Sequence, residues 1–347
     1  MIQSKINIMK KVLLTGVTGF LGSHTAIQLL EKGYHVTGTL RNMNRANSIK
    51  EIISKYTSKI ENLDFAEADL EDQHIWEDLC KDKDFVMHIA SPFPRELPKN
   101  DDELVKPAKA GVLNILKASS NLGVKRIVIT SSTGAIVYGN SKGRHNEFTE
   151  SDWTNVANKN DTTPYFRSKT IAEKAAWDFI EQDKSGLELV TVCPGAILGP
   201  VLEQDFGTSA NIVIKALDGS SPALPNIGFD MVDVRSVADL HIRAMENPVA
   251  ANQRYIGSSG YYKFSEVAAV LRNAYPNKKV PKITLPDFVV RLFSNFDKTL
   301  KPILIDLSAE RRVNHSKAVN ELGWKPLSIE EAILSCAASV INHGIVH

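Results

Sequence analysis

Gly16-Val17-Thr18-Gly19-Phe20-Leu21-Gly22 stands between a short apolar run, residues 12–15, and a segment with helical periodicity. Glycine suits its three places because the backbone there has to turn sharply and approach a pyrophosphate without a Cβ in the way. The helix that begins here also offers free N–H groups and the positive end of its dipole to phosphates. Three of the chain's 20 glycines are a weak signal alone. Their position between the first strand and the first helix predicts a dinucleotide-binding turn rather than a plain connection.

Short β-branched runs alternate with helix-like segments through the first half of the chain. Strands are predicted near residues 12–15, 34–40, 63–65, 84–89, 126–130 and 188–193, and helices near 20–32, 102–121 and 164–183. Near-continuously apolar strands that alternate with helices are typical of a doubly wound parallel sheet. Beyond Pro194, glycine and proline cluster and the elements become shorter, with helices near residues 236–246, 264–274 and 329–342.

The predicted fold class is therefore α/β, in two parts. A Rossmann-type dinucleotide-binding domain is expected over residues 10–195. A smaller C-terminal α/β lobe, mainly substrate-binding and partly interleaved with the sheet, is expected over residues 196–347.

Composition and charge narrow the class of protein. The 347 residues, 43% hydrophobic and 23% charged, have the balance of an ordinary globular protein that needs no metal or disulfide to complete its core. Because 41 basic residues face 40 acidic ones without a basic arm, nucleic acid and membrane surfaces are not expected partners. No apolar stretch approaches the ~18 residues of a membrane span, and no cleavage site follows the lysines near the start, so a cytoplasmic location is expected.

The cysteines predict neither a metal site nor a disulfide framework. Cys80, Cys193 and Cys336 are widely separated and lack CxxC or CxxH spacing. Such cysteines are typical of buried, reduced thiols in a reducing compartment.

The end of the second strand indicates which dinucleotide binds. Units that bind NAD usually place Asp or Glu there to hold the ribose 2′-hydroxyl, yet no acidic residue occurs over residues 34–50. Arg41 and Arg45 stand there instead, four residues apart, and both reach a 2′-phosphate if a helix starts at this point. Since guanidinium groups bind phosphate through charge-assisted hydrogen bonds, NADP(H) is the predicted cofactor. The alternative is a pair of solvated surface arginines.

Asp69 follows the third strand and has two interpretations. It is placed to contact the adenine amino group of the cofactor. It is equally suited to cap the helical segment that follows, a task for which Asp72 competes.

A tyrosine and a lysine are positioned for proton transfer. In Tyr165-Phe166-Arg167-Ser168-Lys169 the phenol and the ammonium lie on one helical face. A neighbouring Lys⁺ favours the phenolate, so we expect Lys169 to lower the pKa of Tyr165 towards neutral pH. Two other pairs have the same spacing, but glycines around Tyr138 and Lys142 and the Pro276-Asn277 step after Tyr275 argue against a helix there.

A hydroxyl beside the phenol is expected to bind the substrate oxygen. Thr130-Ser131-Ser132-Thr133 stands at the carboxyl end of the fifth strand, where parallel sheets build their sites. Ser132 is the predicted residue. The alternative is that these hydroxyls only satisfy backbone groups near the turn.

With these parts in this order, the chain resembles the extended short-chain dehydrogenase/reductase superfamily. Within it, the chain is similar to the dihydroflavonol reductase-like and aldehyde reductase branch. The similar segments are residues 14–22, His88-Ile89-Ala90-Ser91-Pro92-Phe93, residues 129–132, residues 165–169, Val232-Asp233-Val234-Arg235 and Leu322-Gly323-Trp324-Lys325-Pro326, so the resemblance spans about residues 10–340.

The resemblance implies an NADPH-dependent reductase of a small aldehyde or ketone, with Ser132, Tyr165 and Lys169 as the catalytic set and Tyr165 as proton donor. Lys169 would also hold the nicotinamide ribose. The implied cofactor contacts, together with the glycine turn, are Gly16, Gly19, Phe20, Leu21, Gly22, Arg41, Arg45, Asp69, Leu70, Ala90, Tyr165, Lys169, Pro194, Gly195, Ala196, Ile197 and Ser209.

The departures from the branch bear on the substrate. Plant dihydroflavonol reductases have an Asn five residues after the catalytic Ser, where this chain has Val137. Cinnamoyl-CoA reductases have an Asn-Trp-Tyr-Cys-Tyr-type stretch where this chain has Thr163-Pro164-Tyr165-Phe166. Neither substrate is therefore expected.

Two rival functions remain open at this stage. A sugar-nucleotide epimerase or dehydratase shares the fold and the Tyr–Lys pair, but it keeps NAD bound and needs arginines for a second pyrophosphate in the C-terminal lobe. A regulator that senses NADP without chemistry would have no use for an activated tyrosine. Either a monomer or a homodimer is compatible with the sequence.

Overall fold

The computed structural model describes residues 9–91, 100–140, 147–204 and 206–347. Its strands are β1 (Lys11–Thr15), β2 (His35–Leu40), β3 (Leu63–Glu67), β4 (Phe85–His88), β5 (Arg126–Thr130), β6 (Glu188–Pro194), β7 (Ala196–Leu198), β8 (Leu224–Pro225), β9 (Gly228–Asp233), β10 (Gln253–Gly257), β11 (Gly260–Lys263) and β12 (Thr284–Leu285). Its α-helices are α1 (Phe20–Glu31), α2 (Ala46–Ser54), α3 (Ile75–Cys80), α4 (Asp102–Asn121), α5 (Pro164–Gln182), α6 (Asn211–Leu217), α7 (Val234–Glu246), α8 (Phe264–Ala274), α9 (Asp287–Phe293), α10 (Ser316–Leu322) and α11 (Ile329–Asn342).

The central sheet has seven strands in the order β10-β6-β5-β4-β1-β2-β3. All neighbouring strands run parallel. Because the chain moves outward from β1 in one direction through β2 and β3 and in the other through β4, β5 and β6, the strand order reverses beside β1. This is the point at which such sheets bind nucleotides. The predicted doubly wound α/β fold is confirmed.

Helices cover both faces of this sheet. On one face α1, α2 and α7 bury apolar residues of β1 and β2, including Val12, Leu14 and Val36. On the other face α4 and α5 pack against each other and over Leu13, Ile127 and Leu189. Strands covered on both faces have few polar positions, which explains the near-continuous apolar runs.

The second lobe is built on a three-stranded sheet in the order β11-β9-β7. Helices α6, α8 and α11 pack on it around a separate apolar cluster that includes Met231, Leu271 and Ile333. The chain also returns from this lobe to the central sheet, since β10 pairs with β6 and α7 packs on α1. The division between residues 195 and 196 stays a prediction, because β10 and α7 lie beyond it.

Candidate active site

The glycine turn joins β1 to α1 with space for an anion. Gly16 has a φ of +73°, in the left-handed region that favours glycine. A Cβ on Gly22 would lie 2.0 Å from the carbonyl oxygen of Gly16, so a larger residue does not fit there. Gly19 precedes α1 with no side-chain cap, and the first turn carries no acidic residue. The first N–H groups of α1 are therefore positioned to bind a pyrophosphate, as a dinucleotide requires.

The end of β4 closes one side of this turn. The N–H of Ala90 donates to Thr15 Oγ1 at 3.0 Å, and Thr15 Oγ1 also lies 3.0 Å from His88 Nδ1. A Cβ on Gly16 would lie 3.1 Å from Ala90. Pro92 and Phe93, which belong to the same sequence motif, lie outside the described residues.

Arg41 and Arg45 both follow β2, but not on one helix. Arg41 is exposed and precedes Asn42, whose side chain accepts from the N–H of Asn44 and caps a short 3₁₀ turn, Met43–Arg45. The α-helix begins only at Ala46. The predicted i, i+4 relation between the two arginines is therefore wrong, since the backbone turns between them.

Two carboxylates reach this loop from other parts of the chain. Glu67 Oε2, at the end of β3, accepts from the N–H of Met43 at 3.3 Å. Both carboxylate oxygens of Glu203 accept from Arg45 Nη2 at 2.8 Å. Although no acidic residue occurs over residues 34–50, carboxylates from elsewhere in the chain therefore lie at this loop. Glu67 is foreseeable, because β2 and β3 are parallel and Leu40 pairs with Glu67; Glu203 has no local signal.

Asp69 closes a tight turn rather than capping a helix. Its Oδ1 accepts from the N–H of Glu71 at 2.9 Å, while Asp72 Oδ1 accepts from the N–H of His74 at 3.0 Å. Since α3 begins at Ile75, neither aspartate is its N-cap, and that alternative is wrong. Asp69 is exposed just beyond the carboxyl end of β3, and its contact with adenine stays a prediction.

Leu70 and Lys169 border a common cavity. Its lining includes Leu70, Ala90, Ser91, Thr130 and Lys169, which come from the ends of three strands and from α5. Predicted cofactor contacts and a predicted catalytic residue therefore meet at one place.

The Tyr–Lys helix begins with a capped first turn. Thr163 is the N-cap residue and accepts from the N–H of Phe166 at 3.3 Å, and Pro164 occupies the first turn. Lys169 Nζ lies 6.0 Å from the centre of the Tyr165 ring. It donates to the carbonyl oxygen of Thr130 at 3.3 Å. The side chain of Lys169 thus joins α5 to the end of β5.

Ser132 lies two residues beyond that carbonyl. Its Oγ accepts from the N–H of Gly134 at 3.0 Å, which leaves the hydroxyl proton to be donated elsewhere. A Cβ on Gly134 would lie 2.4 Å from the Phe166 ring, so the turn after Ser132 packs directly on the residue next to Tyr165. The structure therefore brings the turn of Ser132 and the first turn of α5 together. The backbone bond that was the alternative interpretation is present as well.

Burial dominates the protonation of the pair. Burial raises the pKa of Tyr165 to about 12. Burial also lowers the pKa of the Lys169 ammonium to about 8, against the opposing effect of the Glu173 carboxylate. The expected lowering of the Tyr165 pKa by Lys169 is therefore wrong for this structure, because desolvation of the phenolate raises this pKa instead.

The other two tyrosines with this spacing to a lysine do not lie on a helix. The Tyr138 hydroxyl donates to Asp306 Oδ1 at 3.1 Å, and its ring stacks on Phe166 at 3.9 Å. Lys142 lies outside the described residues. Tyr275 follows α8, which ends at Ala274, so Lys279 is not on the same helix.

A buried carboxylate behind the site was not predicted from the sequence. Glu173, one turn beyond Lys169 on α5, accepts from Ser131 Oγ at 2.5 Å, from Thr191 Oγ1 at 2.7 Å and from Arg254 Nε at 2.8 Å. The spacing of four residues between Lys169 and Glu173 is a local pattern from which their proximity on α5 could have been predicted. No local pattern predicts that Arg254, which lies on β10, reaches Glu173.

The segment after β6 lies at the same edge of the sheet. Pro194 ends β6, and a Cβ on Gly195 would lie 2.3 Å from the carbonyl oxygen of Asp230. Ala196 and Ile197 begin β7, and Ser209 lies in a 3₁₀ turn. Just before that turn, Gly207 faces the Phe20 ring of α1. Contacts of these residues with a cofactor stay predictions.

Two classes of feature are not found in the part of the chain that the structure describes. No group of three or more His, Cys, Asp or Glu side chains there is arranged to hold a metal ion, and Cys80, Cys193 and Cys336 are buried free thiols. Among the same residues, the helices are too short or too polar to cross a membrane.

Comparison with known proteins gives consistent matches. The sequence model of the NAD dependent epimerase/dehydratase family matches residues 12–256. A putative uncharacterized oxidoreductase of Schizosaccharomyces pombe is 35% identical over 312 residues, which cover 84% of this chain and 91% of that protein. A cinnamoyl-CoA reductase of Medicago truncatula is 32% identical over 287 residues, 80% of this chain and 85% of that protein. The structure of the yeast methylglyoxal/isovaleraldehyde reductase Gre2 with NADPH superposes with a TM-score of 0.80 at 25% identity, covering 97% of this chain and 100% of Gre2.

Proposed function

The chain belongs to the NAD dependent epimerase/dehydratase family. We propose that it reduces the carbonyl group of a small aldehyde or ketone with NADPH, and that Tyr165 is the proton donor. It is an NADP-dependent oxidoreductase, as its reductase relatives and the NADPH-bound Gre2 structure support. The observation that carries the proposal is the junction of α5 with β5, where Lys169 bonds to Thr130 beside Ser132.

The cofactor fits the residues present. The uncapped start of α1 and the glycines of residues 16–22 would hold the pyrophosphate, and Arg41 and Arg45 the 2′-phosphate. The remaining proposed contacts are Asp69, Leu70, Ala90, Lys169, Pro194, Gly195, Ala196, Ile197 and Ser209. When bound, NADPH would supply the hydride that reaches the carbonyl carbon.

The protein's own residues would handle the proton and the charge. As negative charge develops on the substrate oxygen, the Tyr165 hydroxyl donates its proton to that oxygen, which becomes the alcohol O–H. A phenol whose pKa burial raises to about 12 is fully protonated at neutral pH, as a proton donor must be. Ser132 donates a second hydrogen bond to the same oxygen, because its Oγ already accepts from Gly134. The Lys169 ammonium then favours the phenolate that remains until solvent reprotonates it.

The pairing of most arginines beyond residue 195 supports a reductase over an epimerase. An epimerase of sugar nucleotides needs cationic side chains for a second pyrophosphate. Five of the seven arginines beyond residue 195 are instead paired with carboxylates of the chain, in the pairs Arg235–Asp233, Arg243–Asp239, Arg254–Glu173, Arg311–Asp306 and Arg312–Glu310. Each of these carboxylates would have to be displaced before its arginine bound phosphate.

The test is consumption of NADPH against a panel of aldehydes, α-diketones, ketoesters and ketosteroids. We expect turnover with at least one class, lost in Tyr165→Phe. An epimerase would show no net consumption of NADPH and would convert a nucleotide sugar. A regulator would bind NADPH and oxidise none with any carbonyl. Either of those results would overturn the proposal.

A further inference from the structure

We infer that Glu203 limits the preference of this protein for 2′-phosphorylated cofactors, because its carboxylate competes with the 2′-phosphate for Arg45. The inference rests on the proposed function, because it assigns the 2′-phosphate to the loop after β2. It adds a residue that acts on cofactor choice from the second lobe.

The contact between Glu203 and Arg45 resembles the one that a phosphate would make. Both Glu203 oxygens lie 2.8 Å from Arg45 Nη2, so the carboxylate presents two acceptors to one guanidinium nitrogen. The side chains are 23% and 38% exposed, so the pair is accessible to an incoming ligand. A carboxylate and a phosphate oxygen compete for the same donors of a guanidinium group.

The three residues just before Glu203 are held by two helices and by burial. His24 Nε2, on α1, lies 2.9 Å from the carbonyl oxygen of Pro200. The N–H of Val201 donates to Ser339 Oγ on α11 at 2.9 Å, and Leu202 is buried. The carboxylate is therefore held near the start of α1 by the packing of the second lobe.

The two arginines then differ in their readiness to bind phosphate. Within the described residues Arg41 makes no ion pair or side-chain hydrogen bond, and it is exposed. Arg45 has to release Glu203, or share it, when a 2′-phosphate arrives. NADH has a hydroxyl at this position and leaves the Arg45–Glu203 pair intact. Glu203 consequently weakens binding only of ligands that carry the 2′-phosphate.

A positioning role for Glu203 predicts the opposite change in affinity for the 2′-phosphate. If the carboxylate held Arg45 ready for the phosphate, its removal would weaken phosphate binding. The sign of the change in affinity therefore separates competition from positioning.

The experiment measures binding by titration calorimetry with 2′,5′-ADP and 5′-ADP as probes, without any turnover. Glu203→Gln keeps the size of the side chain and removes its charge. We expect it to tighten binding of 2′,5′-ADP about three- to tenfold, the range for one competing charge-assisted contact at a partly exposed site, and to leave 5′-ADP unchanged. The control is Glu246→Gln, which removes a comparably exposed ion pair with Lys32 and should change neither affinity.

A second variant establishes that the effect passes through Arg45. In an Arg45→Ala background, Glu203→Gln should alter 2′,5′-ADP affinity much less than in the wild type. Unchanged or weaker binding of 2′,5′-ADP by Glu203→Gln would overturn the inference while the proposed function stands. A wild-type protein that does not distinguish 2′,5′-ADP from 5′-ADP would remove both the inference and the assignment of NADPH.

Discussion

Arg254 donates from Nε to Glu173 Oε1 at 2.8 Å, and the two side chains are only 9% and 1% exposed. Arg254 lies on β10, and Glu173 lies on α5 one turn beyond Lys169. Glu173 also accepts from the hydroxyl of Ser131, the neighbour of Ser132. Glu173 and Arg254 therefore connect α5, which carries Tyr165 and Lys169, to the end of β5 and to the edge strand β10.

Breaking this pair should destabilise the protein strongly. Glu173→Gln leaves the Arg254 charge buried without a counter-ion, and removing one partner of such a pair costs about 3–5 kcal/mol. We expect a loss of that order in the free energy of unfolding, measured with urea. The control Glu310→Gln removes a carboxylate that is 42% exposed, and it should change stability by less than about 1 kcal/mol. Equal effects in the two variants would contradict the role assigned to Glu173.

Tyr165→Phe should remove most of the catalytic activity and leave NADPH binding nearly intact. The substitution deletes the proton donor and little surface, and general acid catalysis is worth roughly 10²- to 10⁴-fold in rate. Tyr138→Phe should lower stability by about 1 kcal/mol, because the Tyr138 hydroxyl bonds to Asp306, while the chemistry continues. Tyr275→Phe should change neither. An inactive Tyr275→Phe enzyme with an active Tyr165→Phe enzyme would contradict the assignment of Tyr165 as the proton donor.

The local parts of the site follow from local sequence. The glycine turn depends on neighbours a few residues away, and so does the start of α5 at Thr163 and Pro164. Alternation of apolar strands with helices likewise predicted six of the seven strands of the central sheet, because strands covered on both faces are nearly continuously apolar. It did not predict β10. These features were predictable for the same physical reason: short-range sterics and burial determine them.

The electrostatics of the site depend on residues far apart in the chain. Glu203 reaches Arg45 only because the second lobe packs on α1, and Arg254 reaches Glu173 only because β10 joins the sheet beside β6. The raised pKa of Tyr165 likewise comes from burial. A helical spacing of four residues predicts that Lys169 lies near Tyr165. It does not predict how completely the surrounding protein excludes water from the Tyr165 phenol. These contacts join residues that are 158 and 81 positions apart, so no local sequence pattern predicts them.

Arg41→Ala should weaken NADPH binding and leave NADH binding almost unchanged. Arg41 is exposed beside the expected position of the 2′-phosphate, and one charge-assisted contact is worth about 1.5–3 kcal/mol, roughly a 10- to 100-fold change in Kd. Fluorescence titration with each cofactor measures the two affinities. An equal loss for NADPH and NADH would reject the assignment of Arg41 to the 2′-phosphate.

A buried histidine should make stability fall on acidification. Burial lowers the pKa of His241 to about 4, from 6.5. Since the unfolded chain then binds more protons between these values, stability decreases as pH falls from about 6.5 to 4. Between pH 7 and pH 5 we expect a loss of about 2 kcal/mol from this residue. His241→Gln should show a shallower dependence in urea unfolding; parallel curves for the two proteins would contradict the prediction.

Lys169→Met should produce a more stable and less active protein at pH 7. Burial lowers the pKa of Lys169 from 10.5 to about 8, so the charged side chain costs the folded state about 3 kcal/mol at neutral pH. Methionine fills similar space without a charge. After about 1 kcal/mol is allowed for the lost hydrogen bond to Thr130, the variant should be more stable by about 2 kcal/mol.

The pH dependence of that difference identifies its cause. The unfolded state binds the extra proton between pH 8 and pH 10.5, so the wild type regains stability over this interval and the variant does not. The advantage of Lys169→Met should therefore shrink from pH 8 upward, in unfolding experiments that compare the two proteins at each pH. Below about pH 8 the turnover of the variant should be strongly reduced, because the wild type there carries the ammonium proposed to favour the Tyr165 phenolate. A variant that is less stable at pH 7, or one whose advantage does not change with pH, would show that the buried charge of Lys169 carries no such cost.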